Sequence, residues 1–240
     1  MPARTPLYAA QAAAGGKMVD FAGWDMAVQF AGIQAEHAAV RTAAGVFDVS
    51  HMGRLRLVGP GAEAFLARRV CRRIRDMRTG QVRYGLVLAA DGTVEDDVLV
   101  SREGDHQFHV VVNAGNRDKI LALWRADLTP AVALHDLSAE QAMIAVQGPQ
   151  APALLAGLGL DPSGQPIYGF RDAHWQGHAV RVSRTGYTGE DGAELFCPAA
   201  AAEALWQALL AAGARPCGLG CRDTLRLEAA MPLYGHELGR

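Results

Sequence analysis

Apolar and polar positions recur with two different periods along this chain, and the changes of period mark its elements. Residues 31–43, AGIQAEHAAVRTA, place Ile33, Ala35, His37, Ala38 and Val40 at helical spacing. The β-branched, alternating run GVFDVSHMGRLRLVG at 45–59 predicts strands. Pro60 and Gly61 then open a helix in GAEAFLARRV. In VRYGLVLAADGTVEDDVLVSRE, 82–103, two apolar runs joined by Ala-Asp-Gly predict a hairpin. The stretch HQFHVVVNAGNRDKILALWRADL, 106–128, reads as a strand, a Gly-containing turn and an amphipathic helix.

The pattern recurs in the second half. AVALHDLS (131–138) and AMIAVQGPQ (142–150) predict strands, and PQAPALLAGLG (149–159) a short helix. AVRVSRTGYTGEDGAELFCP (179–198) predicts two strands around a Gly-rich turn. The Ala-rich helix of 199–213 is expected to start from Pro198 in its first turn. LGCRDTLRLEAAMPLYG (219–235) predicts a further helix carrying Leu225, Leu227 and Ala229 and broken at Pro232. Strands and helices mixed without regular βαβ alternation imply an α+β class with antiparallel sheets. No fixed-period repeat and no low-complexity linker marks a domain boundary.

Composition narrows the function classes. With 240 residues, half of them hydrophobic and 20% charged, the chain is long enough for a sizeable core and is not of disordered type. Lys plus Arg number 23 against 25 Asp plus Glu, so no charge excess draws it to nucleic acid or to a membrane surface. No run of 18 apolar residues predicts a membrane span, and the first residues lack the pattern of a secretory signal. Of the four cysteines, Cys217 and Cys221 form a C-x3-C pair. No His-rich or Cys-rich group accompanies them, so they read as reduced thiols of a cytoplasmic protein and no metal site is expected.

Three segments carry candidate chemistry. The first, GTVEDDVLV at 92–100, sets Glu95, Asp96 and Asp97 at the start of an apolar strand, where carboxylates are costly. Alternation buries Asp96 with Val94, Val98 and Val100, and turns Asp97 with Glu95 and Leu99 to a wetter side. The second, RTGYTGEDGAEL at 184–195, offers three glycines among three acids and one tyrosine. Its acidity disfavours phosphate and suits a ligand with N–H donors; the competing reading is an ordinary hairpin with a polar tip. The third, CRDTLRLEA, puts Arg222 and Arg226 four apart beside Asp223, which reads most simply as a surface ion-pair face. In FDVSHMG, Asp48 and Ser50 share a strand face and His51 does not, which favours a hydrogen-bonded turn over a hydrolytic triad.

Seven strings in one order are together specific: GGKMVDFAGWDMAVQF, GVFDVSHMGRLRL, RYGLVL with DGTVEDDVLV, VVNAGNRDK, AVQGPQA, RTGYTGEDGAEL and RDTLRLEAAMPLYGHEL. From Thr5 to Leu238 the chain closely resembles the aminomethyltransferases, the T-proteins of the glycine cleavage system. The resemblance implies two intertwined α+β units with mainly antiparallel sheets flanked by helices, together making one folate-binding region over 1–240. Family members continue into a C-terminal barrel-like domain, which is expected to be absent here. Apolar surface at Leu225, Leu227, Met231, Leu233 and Tyr234 would then be left uncovered.

The implied reaction moves a one-carbon unit from the aminomethyl-lipoyl arm of the H-protein to tetrahydrofolate and releases ammonia, without a metal. By the same resemblance Asp97 is the catalytic carboxylate. Glu194 and Arg222 match folate contacts, and Tyr84, Asn113 and Tyr187 match pocket residues. A folate-contacting arginine of the family lies outside this chain. Flavin-fused relatives that oxidise sarcosine or dimethylglycine share the fold, but no dinucleotide fingerprint stands near the start of this sequence. Non-enzymatic folate-binding relatives serving iron–sulfur cluster assembly depart from the Asp-Asp pair and from GYTGEDG, both of which are kept here. An inactive fragment of a true aminomethyltransferase is the remaining alternative.

Overall fold

A computed structural model describes residues 1–239. In chain order the elements begin β1 (Ala3–Arg4), α1 (Tyr8–Ala13), β2 (Lys17–Phe21), β3 (Trp24–Gln29), α2 (Ile33–Thr42), β4 (Gly45–Asp48), β5 (Gly53–Val58) and α3 (Ala62–Arg69). They continue with β6 (Val82–Leu88), β7 (Val94–Gly104), β8 (Gln107–Val112), α4 (Arg117–Ala126), β9 (Ala133–Asp136), β10 (Gln141–Gln147) and α5 (Ala151–Gly157). The last are β11 (Phe170–Trp175), β12 (His178–Ser183), β13 (Gly192–Pro198), α6 (Ala202–Ala211), β14 (Arg215–Pro216) and α7 (Leu219–Glu228). The class is α+β.

The chain divides into two compact units, each assembled from two separate segments. The first unit comprises Met1–His51 and Glu140–Met231. It contains a six-stranded sheet in the order β11-β12-β13-β10-β4-β14 and a three-stranded sheet in the order β1-β3-β2. Pairing is antiparallel except for β4 with β14 and β1 with β3. Val46, Ile144, Val146, Val182 and Leu195 from the larger sheet pack with Leu155, Leu205, Trp206 and Leu209 from α5 and α6. Each such large apolar side chain contributes about 1.5–3 kcal/mol when fully buried.

The N-terminal segment is fastened to this unit by a carboxylate. Thr5 Oγ1 and Gln11 Nε2 each donate to Asp48 Oδ2 at 2.6 Å, and the Ser50 amide donates to Asp48 Oδ1 at 2.9 Å. The hydrogen-bonded turn expected at Asp48 and Ser50 is therefore present, and it also holds α1. His51 is buried as well, edge-on to the Phe21 ring at 5.7 Å.

The second unit comprises Met52–Ala139 and the chain from Pro232 onward. Its single five-stranded sheet, in the order β6-β7-β8-β5-β9, is antiparallel throughout. Leu55, Leu57, Val100, Phe108 and Val110 pack with Phe65 of α3 and with Ile120 and Trp124 of α4. The hairpin read at 82–103 is β6–β7. Its register shifts by one residue, Val87 pairing with Asp96 and Leu88 with Val94, so the strand bulges at Glu95.

Several expectations are corrected. Pro198 does not start α6; it ends β13, and a 3-10 turn at Ala199–Ala201 intervenes. Strands β1, β2, β3 and β11 and helix α1 lie where the apolar pattern predicted nothing. The strands are short and carry polar residues that blur the period, and α1 is six residues long and mostly alanine, so it shows no apolar face. Helix α7 ends at Glu228, four residues before Pro232.

What stops α7 is a capping motif. The Met231 amide donates to the Arg226 carbonyl at 2.9 Å and the Ala230 amide to the Leu227 carbonyl at 3.1 Å, with Ala230 at φ +55°. Leu225 is fully buried, so it adds nothing to the apolar surface expected at this end, whereas Leu227 is 53% exposed. Met231, Leu233 and Tyr234 are half-buried.

Because a left-handed conformation costs a residue with a Cβ roughly 1–2 kcal/mol, and glycine loses somewhat more chain entropy on folding, Ala230→Gly should stabilise the protein by about 0.5–1 kcal/mol. Urea denaturation of the two proteins checks this; a lower midpoint for the glycine variant would show that the cap is not strained.

Candidate functional site

The sequence-predicted residues form two clusters, one in each unit. In the second unit Asp96 and Asp97 leave β7 in opposite directions. Asp96 is fully buried and meets three N–H groups: the Asn113 amide at 3.1 Å, Asn113 Nδ2 at 2.8 Å and Asn116 Nδ2 at 2.7 Å. Asp97 is half-buried; its Oδ1 accepts from Asn113 Nδ2 at 2.5 Å and its Oδ2 from Tyr84 Oη at 3.2 Å. The structure thus brings Tyr84, Asp97 and Asn113 together. Asn113 occupies this place because β8 ends at Val112 and the chain turns into the 3-10 turn that precedes α4.

Glu95 does not follow the alternation. It is buried, not on a wet side with Asp97, because the bulge displaces it and Lys119 Nζ of α4 stands 3.2 Å from its carboxylate. Lys119 also donates to the Tyr234 hydroxyl at 3.0 Å. The three adjacent carboxylates therefore have three different environments.

Burial raises the proton affinity of both aspartates. Desolvation pushes Asp96 up to about 6 against the donors of Asn113 and Asn116, and it raises Asp97 against Asn113 and Tyr84. Tyr84, which supplies one of those donors, is itself 36% exposed.

In the first unit, Glu194 of β13 is buried and accepts from Thr185 Oγ1 at 2.6 Å. Desolvation raises its carboxyl above the ordinary range, while the Arg222 charge and the Thr185 hydroxyl work against that rise. Burial likewise lowers Arg222, which lies on α7 with its guanidinium 4.9 Å from the centre of the Tyr187 ring. One terminal nitrogen of Arg222 is buried without a hydrogen-bond partner. A carboxylate, a guanidinium and a phenol ring thus stand around groups that can still accept and donate.

The other two acids of the Gly-rich segment are already committed. Asp191 pairs with Arg184 at 2.7 Å and Glu190 with Arg41 at 2.9 Å. Arg226 is not on a surface ion-pair face: it is buried, donating to Asp223 at 2.9 Å and to the Met231 carbonyl at 3.3 Å.

Glu36, Cys217 and Cys221 bring their ligand atoms within 4.8 Å of one another, a grouping that C-x3-C alone did not reveal. Both Glu36 oxygens are occupied by the Phe30, Gly32 and Gly218 amides at 2.6, 3.0 and 2.8 Å. The Cys221 thiol and burial push Cys217 far up, so its proton is retained. A divalent ion here would have to displace the thiol protons and compete with the three amides for Glu36.

Sequence reasoning missed Asn116, Thr185, Arg41 and Gln147. Gln147 carried a readable signal, a lone amide at the end of the apolar run AMIAV.

The Asp96 shift makes stability depend on pH with a definite sign. The folded value near 6 lies above the ordinary 3.8, so between them the folded state holds a proton that the unfolded chain has released. The stabilisation is complete below about pH 4 and is lost as pH rises through about 6. A shift of roughly two units corresponds to about 3 kcal/mol. The unfolding free energy should therefore fall by about that much relative to Asp96→Asn between about pH 4 and pH 7. Denaturant titrations of both proteins check this; a difference independent of pH would show that Asp96 is ionised throughout.

Comparison with known proteins agrees with these motifs. Residues 7–240 match the family described as the GCVT N-terminal domain. The chain is 51% identical to an aminomethyltransferase of Rubrobacter xylanophilus over 239 residues, covering 98% of this chain and 63% of that protein. It is 47% identical to the aminomethyltransferase of Geobacillus kaustophilus, with 98% and 66% covered. The chain thus spans somewhat under two thirds of the length of these relatives. The crystal structure of glycine cleavage system aminomethyltransferase T from Bartonella henselae superposes with a TM-score of 0.93 at 33% identity, over 99% of this chain and 65% of that one. A heterotetrameric sarcosine oxidase from Corynebacterium shares the fold at 20% identity and a TM-score of 0.50, over 75% of this chain and 90% of that one. With its motifs in register and the family matched over nearly its whole length, this chain belongs to the GCVT N-terminal domain family.

Proposed function

We propose that this chain is the folate-binding part of an aminomethyltransferase of the glycine cleavage system, acting in the cytoplasm. Its substrates are tetrahydrofolate and the aminomethyl-lipoyl arm of the H-protein. The carbon–sulfur and carbon–nitrogen bonds of the aminomethyl group break, and the carbon bonds to two folate nitrogens. Of the two protons those nitrogens lose, one goes to the sulfur of the lipoyl arm and one to the departing ammonia. The carbon keeps its oxidation level, so the balance calls for no redox cofactor.

The observation that carries this reading is the contrast between Asp96 and Asp97. Asp96 is fully buried and faces three N–H donors, whereas Asp97 is half-buried, held by one donor on each oxygen, and raised in proton affinity. A carboxylate so held can orient and polarise the folate nitrogens that attack the methylene carbon. Positioning of this kind supplies up to roughly 7–11 kcal/mol of a barrier, and acid–base assistance on the order of 10²- to 10⁴-fold.

Glu194, Arg222 and Tyr187 would recognise the pterin. The amino-pyrimidinone edge offers two N–H donors to one carboxylate, Arg222 has an unmet donor for a ligand oxygen, and an aromatic ring suits a flat heterocycle. Tyr84 and Asn113 hold Asp97 in place.

Titration of the protein with tetrahydrofolate should show saturable binding. Glu194→Gln sets a donor against the pterin N–H groups and should weaken affinity by roughly 10- to 150-fold, the equivalent of about 1.5–3 kcal/mol. Asp97→Asn should leave affinity within about tenfold while removing most transfer from the aminomethylated H-protein, because its effect falls on the reacting atoms. Absent binding, or normal turnover in Asp97→Asn, would refute this reading.

A further inference from the structure

Gln147 ends β10 and is completely buried. Its amide lies inside the Gly-rich segment that follows β12. Nε2 donates to the Thr185 carbonyl at 3.2 Å, to the Ala193 carbonyl at 3.4 Å and to its own neighbour's carbonyl, that of Val146, at 3.2 Å. Oε1 accepts from Thr188 Oγ1 at 3.0 Å, and that hydroxyl in turn accepts from the Glu190 amide at 3.2 Å. One planar group therefore grips the segment on both sides of Tyr187, at Thr185 before it and at Thr188 after it.

The glycines of the segment are fitted to this amide. A Cβ at Gly186 would lie 1.9 Å from Gln147 Oε1 and 2.6 Å from its Cδ. Gly186 therefore leaves room for Gln147; among the described residues its φ is not in the left-handed region, unlike those of Gly189 and Gly192. Gly192, paired with Gln147 across the sheet, would place a Cβ 2.1 Å from the Val146 carbonyl oxygen. The hydroxyl of Thr185, whose carbonyl Gln147 holds, donates to Glu194 at 2.6 Å. The dipeptide between the two grips carries the ring that faces Arg222 at 4.9 Å.

We propose that Gln147 is a positioning residue for pterin recognition, acting through Tyr187 and through Thr185 on Glu194. The proposal deepens the folate-binding reading and rests on it. The side chain needs to be an amide. A carboxylate of the same shape would set a lone pair against three carbonyl oxygens, and an apolar side chain of similar length would leave the Thr185 carbonyl and the Thr188 hydroxyl unmet.

The test uses Gln147→Glu and, should that variant fold poorly, Gln147→Met. Hydrogen exchange without ligand is the first measurement. Amides of residues 186–190 should exchange at least about tenfold faster than in the parent, while those of the β5–β8 pair are unchanged. Unaltered exchange in 186–190 overturns the proposal whether or not the protein binds folate. Tetrahydrofolate affinity is the second measurement. It should fall by about 10- to 100-fold in the Gln147 variant, and adding that variant to the double change Tyr187→Ala, Glu194→Gln should weaken binding by no more than about threefold further, because both routes are then already lost. Unchanged affinity, or losses that multiply in full, would overturn the proposal by showing that Gln147 acts elsewhere. A parent protein that binds no tetrahydrofolate refutes the folate reading, and the exchange result still decides whether Gln147 holds the segment.

Discussion

A carboxylate taken out of water has to be met by donors or by a cation, and this requirement organises both units. Glu36, Asp48, Glu95, Asp96 and Glu194 are each no more than 3% exposed. Glu36 takes three backbone amides, among them that of Gly218 at the start of α7. Asp48 takes a hydroxyl, a side-chain amide and a backbone amide. Glu95 takes the ammonium of Lys119, and Asp96 takes two asparagines. Each of these carboxylates joins its own element to another segment, from 17 residues away for Asp96 to 182 for Glu36, so its loss would free that segment as well as leave donors unmet. Glu194 differs, with the hydroxyl of Thr185 on one oxygen and the Arg222 charge nearby.

Much of this was legible before the fold. The hairpin at 82–103 followed from two apolar runs and a Gly turn, and the burial of Asp96 followed from alternation with Val98 and Val100. The bulge that draws Glu95 inward was not legible, because one extra residue in a strand leaves no mark on the period. Arg226 looked like half of a surface pair because charge on a helix is usually solvated. Besides Asp223, it is met there by the carbonyl of Met231, which the left-handed turn at Ala230 brings to it. Pro232 drew attention as the stop signal for α7 while an alanine in an unfavourable conformation performed that task. The N-terminal strands escaped notice because they are two to six residues long and rich in polar side chains.

The candidate site was legible mainly through motif resemblance. Residue physics alone distributed the acids of RTGYTGEDGAEL evenly, whereas the fold divides them. Glu190 and Asp191 go to Arg41 and Arg184, and Glu194, two residues into β13, is turned inward by the strand. Arg41 also reaches the Thr188 carbonyl at 2.6 Å and the Leu225 carbonyl at 3.4 Å, so one side chain of α2 touches both the Gly-rich segment and the helix that carries Arg222. No local pattern announces such a link, because its partners are 147 and 184 residues away.

The way the two units share the chain bears on the order in which they can form. The five strands and two helices of the second unit all lie within 52–139, so its sheet is complete as soon as that stretch has been synthesised. The first unit cannot close until β10 arrives to pair with β4, which was made almost a hundred residues earlier, with Val46 opposite Val146. If the inserted stretch were still unfolded, that pairing would have to close a long flexible loop; once it has folded, its ends are held and most of that entropy has already been lost. Synthesis from the N-terminus therefore favours a sequence in which the inner unit acts as the clasp for the outer one. Within residues 1–51 the small sheet β1-β3-β2 has all its partners, but β4 has none in the meantime, and it and the residue after it carry the apolar Val46, Phe47 and Val49 that β10 and the later helices will cover.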